Sequence, residues 1–238
     1  MLTTIASYAA RTGCTTLVLI GLIALPGAAA AQPNPDAQLW VQALAIGQLS
    51  DAWRSHVEVQ PRWMDDASEL GLTIVRSALG YQVSPRVSVW LGYAWVPRTL
   101  GEGLRHEQRV WQQVSVAGPR PGGWATSARV RVEQRWLTPW QDTSHRLRLM
   151  GRTQLPIGGG GRWGVYAYDE AMITMDRTSA GPARGYDRNR LSAGVTRRVS
   201  RAVSMDGGYL WENSALPGGA GRNDHIAIGV LNLALPRR

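Results

Sequence analysis

The sequence predicts an all-β protein, an antiparallel transmembrane-type β-barrel of about ten to twelve strands. Three observations predict this fold class. Apolar and polar residues alternate with a period of two along many segments of about 9–13 residues, a length that suits tilted membrane strands. Short turns and longer joins alternate along the chain, and Trp or Tyr residues cluster where the predicted strands end.

Residues 1–31 are predicted to be a signal peptide that precedes the barrel. One basic residue, Arg11, comes before an apolar run over 17–25, and the small residues 28–31 follow that run. This order of charge, apolar core and small residues is typical of export signals. The run is shorter than the ~20 residues that a membrane-spanning helix needs. We therefore expect a single β-barrel domain, 32–238, that is exported to the outer membrane of a Gram-negative cell.

The composition narrows the chemistry that the chain can carry. Its 238 residues include 26 basic residues, all of them Arg, against 17 acidic residues and only one Cys. A single Cys excludes a disulfide framework and a Cys-based metal cluster. The formal net charge of +9 would suit nucleic acid, but an exported protein meets none, and the arginines alternate with apolar residues instead of forming one patch. We therefore expect outer-membrane lipid as a partner and no nucleic acid.

Eleven segments carry the strand pattern. In the clearest of them Trp124, Val130 and Trp136 share an apolar face, while the other face is largely charged. Turn signals rich in Gly, Pro, Ser and Asp separate the segments. The predicted strands cover 38–47, 53–63, 69–82, 87–96, 104–116, 124–136, 144–155, 163–174, 186–199, 203–212 and 224–235.

This odd number conflicts with the even strand numbers of bacterial single-chain barrels. If the join 213–223 is external, the last strand ends in the periplasm and the first strand begins outside. The residues 32–36 reach at most ~18 Å when extended, too short to thread the lumen. We therefore predict ten or twelve spanning strands. The ambiguous segments are 39–47 and 69–82, which are apolar on both faces.

The alternation itself does not say which face points inward. In a soluble sandwich or a lipocalin-like barrel the apolar face forms the core, whereas in a membrane barrel it meets lipid. Aromatic strand ends and charges of both signs on one face favour the membrane barrel. The aromatic residues that predict interfacial girdles are Trp63, Tyr81, Trp95, Trp124, Trp136, Trp163, Tyr209 and Trp211.

The charged face is predicted to line the lumen. Its arginines outnumber the acidic residues available to pair with them, which are Glu107, Glu133, Glu170 and Glu212. Such a lumen is either a structural network of ion pairs or an electropositive conduit that favours anions, and we favour a plugged or narrow interior. The predicted lumen charge network consists of Arg105, Glu107, Arg109, Arg129, Arg131, Glu133, Arg135, Arg146, Arg148, Arg152, Arg188 and Arg190.

No pattern predicts a catalytic, cofactor or metal site. The His residues lack metal-ligand spacing, and the glycines at 158–161 lack the Lys-Ser/Thr of a phosphate loop, so they indicate a turn. Asp224 and His225 at a strand end leave open a rim hydrolase that acts on lipid or peptide, although an ordinary polar strand start is favoured. A soluble periplasmic barrel that binds an apolar ligand is the other alternative.

Several short motifs along the predicted strands carry a family resemblance. They are Trp40, Leu79-Gly80-Tyr81, Val89-Trp90-Leu91-Gly92-Tyr93, His106-Glu107-Gln108-Arg109, Arg188-Asn189-Arg190-Leu191-Ser192-Ala193-Gly194-Val195 and Asp224-His225-Ile226-Ala227-Ile228-Gly229. With these motifs the chain resembles domain of unknown function 2490 (DUF2490), a bacterial family, over roughly 38–235. The resemblance implies an outer-membrane β-barrel and no established activity.

Overall fold

The computed structural model describes residues 35–99, 105–120, 123–139, 142–178, 184–216 and 221–237. The predicted signal peptide, 1–31, lies outside the described residues. The strands are β1 Ala37–Gln48, β2 Trp53–Met64, β3 Glu69–Ser84, β4 Val87–Arg98, β5 Arg105–Ala117, β6 Ala125–Leu137, β7 Thr143–Ile157, β8 Trp163–Thr174, β9 Gly185–Arg198, β10 Val203–Ala215 and β11 Gly221–Leu235. In the part of the chain that is described, no helix is long and apolar enough to cross a membrane.

The eleven strands form one closed barrel. Each strand pairs with the next along the chain, and β11 returns to pair with β1. The ten sequential pairs are antiparallel, whereas β1 and β11 are parallel, in register from Ala37 opposite His225 to Gly47 opposite Leu235. The predicted all-β barrel is confirmed, and the antiparallel prediction holds at every pair except this seam.

The preference for ten or twelve strands is wrong. Both ambiguous segments are full strands, since β1 pairs along its length with β2 and β11, and β3 pairs with β2 and β4. An odd number of strands closes here because the two edge strands pair in parallel. Evenly spaced but slanted hydrogen bonds then satisfy both edges, so no strand has to be added or lost.

The barrel has two distinct rims. The N-rim is the end where β1 begins, and the C-rim is the end where β11 ends. Because the strands alternate in direction, the connections that follow β1, β3, β5, β7 and β9 lie at the C-rim. The turn signals at 84–86, 158–161 and 200–202 are among these connections, and the longer joins of the sequence lie at the N-rim.

Large apolar side chains point away from the barrel axis. On β2, β3 and β4, Val57, Leu79 and Leu91 have 53%, 53% and 60% of their surfaces exposed. The alternate positions face inward and are buried although many are charged, among them Glu107 at 0% and Glu133 at 1% exposure. Ion pairs between strands that are not neighbours, such as Arg129 on β6 with Glu170 on β8, place these charged groups inside.

The inner wall also carries two small apolar clusters. Trp40, Leu210, Ile226 and Ile228 pack together where β10, β11 and β1 meet. Leu72, Ile74 and Val96 form the second cluster on β3 and β4. The charged side chains therefore concentrate on the wall formed by β5 to β9, with contributions from β2, β3, β4, β10 and β11.

The turn between β2 and β3 holds three consecutive left-handed residues. Asp65, Asp66 and Ala67 have φ values of 54°, 54° and 60°. Aspartate tolerates this conformation, but for Ala it costs about 1–2 kcal/mol because Cβ crowds the following carbonyl oxygen. We expect Ala67→Gly to raise the free energy of unfolding by about 1 kcal/mol, measured by denaturant titration, after the greater freedom of Gly in the unfolded chain is subtracted.

Ala52→Gly is the matched control for this prediction. Ala52 lies in the turn between β1 and β2 and has no positive φ. Glycine there gains nothing in the folded state and loosens the unfolded chain, so the stability should stay the same or fall. An equal gain from both substitutions would contradict the explanation by left-handed strain.

Candidate functional site in the arginine-rich interior

The predicted charge network occupies the interior of the barrel. All twelve of its residues lie at inward-facing positions of β5, β6, β7 and β9. Ion pairs join Glu107 and Glu133 to surrounding arginines, and other arginines of the network pair with further carboxylates. Residues two apart in a strand share a face, and directly opposed residues of neighbouring strands do too. The alternation in β5, β6 and β7 therefore brings these side chains together.

Glu107 is the centre of one cluster. Its Oε1 accepts hydrogen bonds from Nε of Arg109 at 2.8 Å and Nε of Arg135 at 2.5 Å. Its Oε2 accepts one from Nη2 of Arg98 at 2.6 Å. The carboxylate is fully buried, so three guanidinium groups replace the water that would otherwise solvate it.

A second cluster closes into a ring of alternating charge. Each of its four arginines bridges two carboxylates, and each carboxylate bridges two arginines, with N–O distances between 2.5 and 3.5 Å. The ring spans β6 to β10 and braces that side of the lumen. In order, its members are Arg146, Glu133, Arg148, Glu170, Arg190, Glu212, Arg188 and Asp187.

Several interior charges were absent from the predicted network. Glu58 pairs with Arg76, and both are buried. Arg76 is absent from the predicted network because β3 looks apolar on both faces. Glu58 could have been found, because the alternation of β2 places it on the same face as Arg62. Asp187 faces inward next to the irregularity at Met172 and Ile173, where a strict period of two gives the wrong face.

Positive charge exceeds negative charge in this interior. Among the described residues, one cavity of about 150 Å³ lies in the lumen toward the N-rim and another of about 190 Å³ lies toward the C-rim. Trp40, Arg62, Arg76, Arg148 and Arg190 line both cavities and lie between them. Within the described residues, the thirteen arginines that line the cavities share eight carboxylate partners, a surplus of five positive charges.

Two buried arginines contribute to this surplus. Arg62 has no carboxylate partner among the residues that the structure describes, and the nearest carboxylate oxygen to Arg131 is that of Glu133 at 3.7 Å. The Arg62 guanidinium lies 3.5 Å from the ring centre of Trp40, and that of Arg131 lies 4.1 Å from the ring centre of Trp111. These aromatic faces offset only part of the free energy of desolvation.

The rim residues considered for hydrolysis do not converge. Asp224 is fully buried on the inner face and is paired with Arg222, whereas His225 lies on the outer face, where its Nδ1 is 2.6 Å from the Tyr209 hydroxyl. Neighbouring residues of one strand point to opposite faces, so these two side chains are separated by the barrel wall. In the described parts of the chain, no group of three or more His, Cys, Asp or Glu residues could hold a metal ion.

A hydrogen-bonded pair at the N-rim gives a pH-dependent prediction. Asp176 accepts hydrogen bonds from the backbone N–H of His145, at 3.0 and 3.1 Å, and lies 2.5 Å from its Nδ1. Burial raises the pKa of the Asp176 carboxyl, but the His145 contacts outweigh it, and the pKa is lower than the ordinary 3.8. The contact is therefore present above pH 3.8 and lost as the pH falls through the folded-state pKa.

Hydrogen exchange of the His145 amide in detergent micelles measures this effect. We expect protection relative to neighbouring amides at neutral pH and a loss of protection below the folded-state pKa. An Asp176→Asn variant should lack this pH dependence. Equal pH profiles for the variant and the wild type would contradict the assignment.

Comparison with known proteins places the chain in a family. The model of the family "protein of unknown function (DUF2490)" matches residues 37–223, from β1 into β11. An uncharacterised protein of Methylorubrum extorquens is 29% identical over 214 residues, which cover 88% of this chain and 92% of that protein. No solved structure matches the chain. The family match spans most of the barrel and agrees with the resemblance of its strand motifs, and the chain therefore belongs to the DUF2490 family.

Proposed function

We propose that this chain is an outer-membrane β-barrel whose braced, arginine-rich interior forms a narrow, anion-tolerant conduit. The observation that carries the proposal is the distribution of side chains, apolar and exposed outside but charged and buried inside. In water a monomer rarely exposes contiguous apolar patches above a few hundred Å². A lipid bilayer solvates such a surface, and a signal peptide at 1–31, as the sequence predicts, would direct export.

The positions of the outer aromatic residues support this proposal. Trp53 and Trp63 begin and nearly end β2, on its outward face. Ten residues of strand measure about 34 Å, or about 25 Å in height at a tilt near 40–45°. This matches the ~25 Å apolar band that aromatic girdles flank in membrane barrels. Tyr81 and Trp163 lie near the C-rim, and Trp95 lies near the N-rim.

Polar side chains on the outer face also suit a lipid surrounding. Asn189 donates a hydrogen bond from Nδ2 to Oδ1 of Asp169 at 2.9 Å, across β8 and β9. Gln112 and Gln134 exchange hydrogen bonds of 3.1 and 3.2 Å across β5 and β6. In hydrocarbon each polar group needs a protein partner because no water is present. These pairs therefore reduce the free energy of inserting the outer face.

The interior supports a narrow conduit and argues against a wide pore. The ring of ion pairs and the Glu107 cluster fill much of the lumen, and the residues between the two cavities restrict it further. A surplus of interior arginines attracts anions and repels cations. An apolar ligand, the soluble-barrel alternative, would have to displace charged groups from their partners, which is unfavourable.

Fractionation and conductance together test the proposal. The full-length protein should be found in the outer-membrane fraction and should migrate differently in gels before and after heating. In planar bilayers it should give small conductance with selectivity for chloride over potassium. Recovery from the soluble periplasm would contradict the membrane assignment. If the protein inserts into the membrane but shows no conductance across many trials, the conduit is contradicted. The interior would then serve only to stabilise the barrel through its ion pairs.

A further inference from the structure

Among the arginines that line the cavity toward the C-rim, Arg62 and Arg131 lack a close carboxylate partner in the described part of the chain. The lining of this cavity includes seven arginines and two carboxylates, Glu170 and Asp206. Glu170 already pairs with Arg129, Arg148 and Arg190, and Asp206 pairs with Arg152. Both carboxylates are thus occupied, so no described carboxylate in the lining remains to neutralise Arg62 and Arg131.

The two arginines are held in the same way. In each, Nε and Nη2 donate to one glutamine Oε1, that of Gln60 for Arg62 and that of Gln113 for Arg131. In each, the guanidinium also lies against a Trp ring, at 3.5 and 4.1 Å. The glutamine and the ring fix the plane of each guanidinium before any ligand arrives.

This arrangement leaves one side of each guanidinium without an acceptor at hydrogen-bond distance. Among the described residues, Nη1 of Arg62 has no hydrogen-bond acceptor. Nη1 of Arg131 faces only Oε1 of Glu133, which at 3.7 Å is beyond hydrogen-bond distance. Both residues are buried, at 7% and 3% exposure. A buried guanidinium without a close acceptor at every N–H is unfavourable, and an anion that accepts from it restores the lost solvation. Nearby Arg76, which also lines the cavity, adds positive charge although it is paired with Glu58.

The chemistry of the lining indicates which anion fits. A guanidinium group can donate two parallel hydrogen bonds to two oxygens of a phosphate group. A multiply charged anion also offsets more of the excess positive charge than chloride does. The cavity measures about 190 Å³, whereas one water needs only about 10–15 Å³ on the same measure, so a phosphate group and several waters fit.

We propose that the C-rim cavity is a binding site for a phosphate group, held by the guanidinium groups of Arg62 and Arg131. The inference deepens the proposed function, because it names the anion class that the interior takes. Arg62 is one of the residues that lie between the two cavities, so a phosphate bound to it lies next to the narrow part of the lumen.

Calorimetric titration of the full-length protein in detergent micelles, dialysed into chloride buffer, tests this site. Inorganic phosphate should bind saturably at one site per chain and more tightly than chloride. Arg62→Gln and Arg131→Gln should each raise the Kd for phosphate at least tenfold. Arg98→Gln is the matched control: Arg98 lines only the other cavity, and its replacement should change the Kd less than threefold.

A second probe distinguishes the source of the phosphate group. If short-chain phosphatidic acid binds and inorganic phosphate does not, with the same loss in the variants, the site takes a lipid phosphate. Binding of neither probe, phosphate binding no tighter than chloride, or equal affinity in wild type and variants would overturn the proposal. If Arg62→Gln does not fold, as judged by the loss of heat-modifiable migration, Arg62→Lys replaces it in the test. Lysine keeps the positive charge but lacks the planar guanidinium with its paired N–H donors, so the Kd for phosphate should still rise tenfold.

These outcomes are independent of the test of the proposed function. Binding in micelles requires neither outer-membrane location nor conductance. A barrel that fractionates with the outer membrane but ignores phosphate would retain the proposed function and lose this site.

Discussion

Glu107→Gln is expected to lower the free energy of unfolding by about 3–5 kcal/mol, the range measured when one partner of a buried ion pair is removed. The fully buried Glu107 carboxylate accepts from Arg98, Arg109 and Arg135, so its loss leaves three guanidinium groups without their anion. Glutamine has nearly the same shape, which excludes a cavity as the cause. Denaturant titration in micelles, followed by Trp fluorescence, measures the change.

Asp51→Asn is the control for this substitution. Asp51 also pairs with an arginine, Arg237, but its side chain is 97% exposed, and exposed pairs contribute little. Its loss should change the stability by less than about 0.5 kcal/mol. Adding Arg135→Met to Glu107→Gln should recover part of the stability, because one of the stranded charges is then removed. A loss below 1 kcal/mol for Glu107→Gln would mean that water or another anion solvates the cluster.

Val57→Arg is expected to destabilise the barrel by about 2–4 kcal/mol in a phospholipid bilayer if the outer face lies in lipid as proposed, which is the cost of Arg at the midplane of membrane barrels. Val57 is 53% exposed on the outer face of β2, between Trp53 and Trp63. Were this surface in contact with water, Arg would change the stability by no more than about 0.5 kcal/mol. Reversible unfolding from lipid vesicles, compared with wild type, gives the difference.

Leu49→Arg provides a matched comparison for the outer face. Leu49 is exposed to the same extent, 53%, but lies in the turn between β1 and β2 at the C-rim. Arginine near the membrane interface costs only about 0–1 kcal/mol. Equal effects at both positions would show that burial in lipid does not distinguish them and would count against the membrane proposal.

The sequence predicts the strands well because each strand leaves a local pattern. All eleven predicted segments are strands, with ends that shift by three residues or fewer. The alternation could not show which face points inward, because a period of two distinguishes faces and not directions. That distinction needs the cross-lumen contacts, such as Arg152 on β7 with Asp206 on β10, between residues far apart in sequence.

The charge network was predictable where strands alternate cleanly. Arg129, Arg131, Glu133 and Arg135 follow one another on one face of β6, and the structure brings them to the interior. The closure of the ion-pair ring could not be predicted from the sequence, because it depends on which strands face each other across the lumen. Asp187 shows this limit, because a local irregularity shifts the face on which it lies.

The parallel seam between β1 and β11 has a consequence for the chain ends. Pro35 and Arg237 leave the barrel at opposite rims, so a circular permutant could not use a short loop. Its linker would have to cover a wall about 25–30 Å high, which takes roughly ten extended residues. If the barrel spans the outer membrane as proposed, epitope tags attached next to Pro35 and Arg237 lie on opposite sides of that membrane. Antibody staining of intact cells would therefore reveal one tag and miss the other.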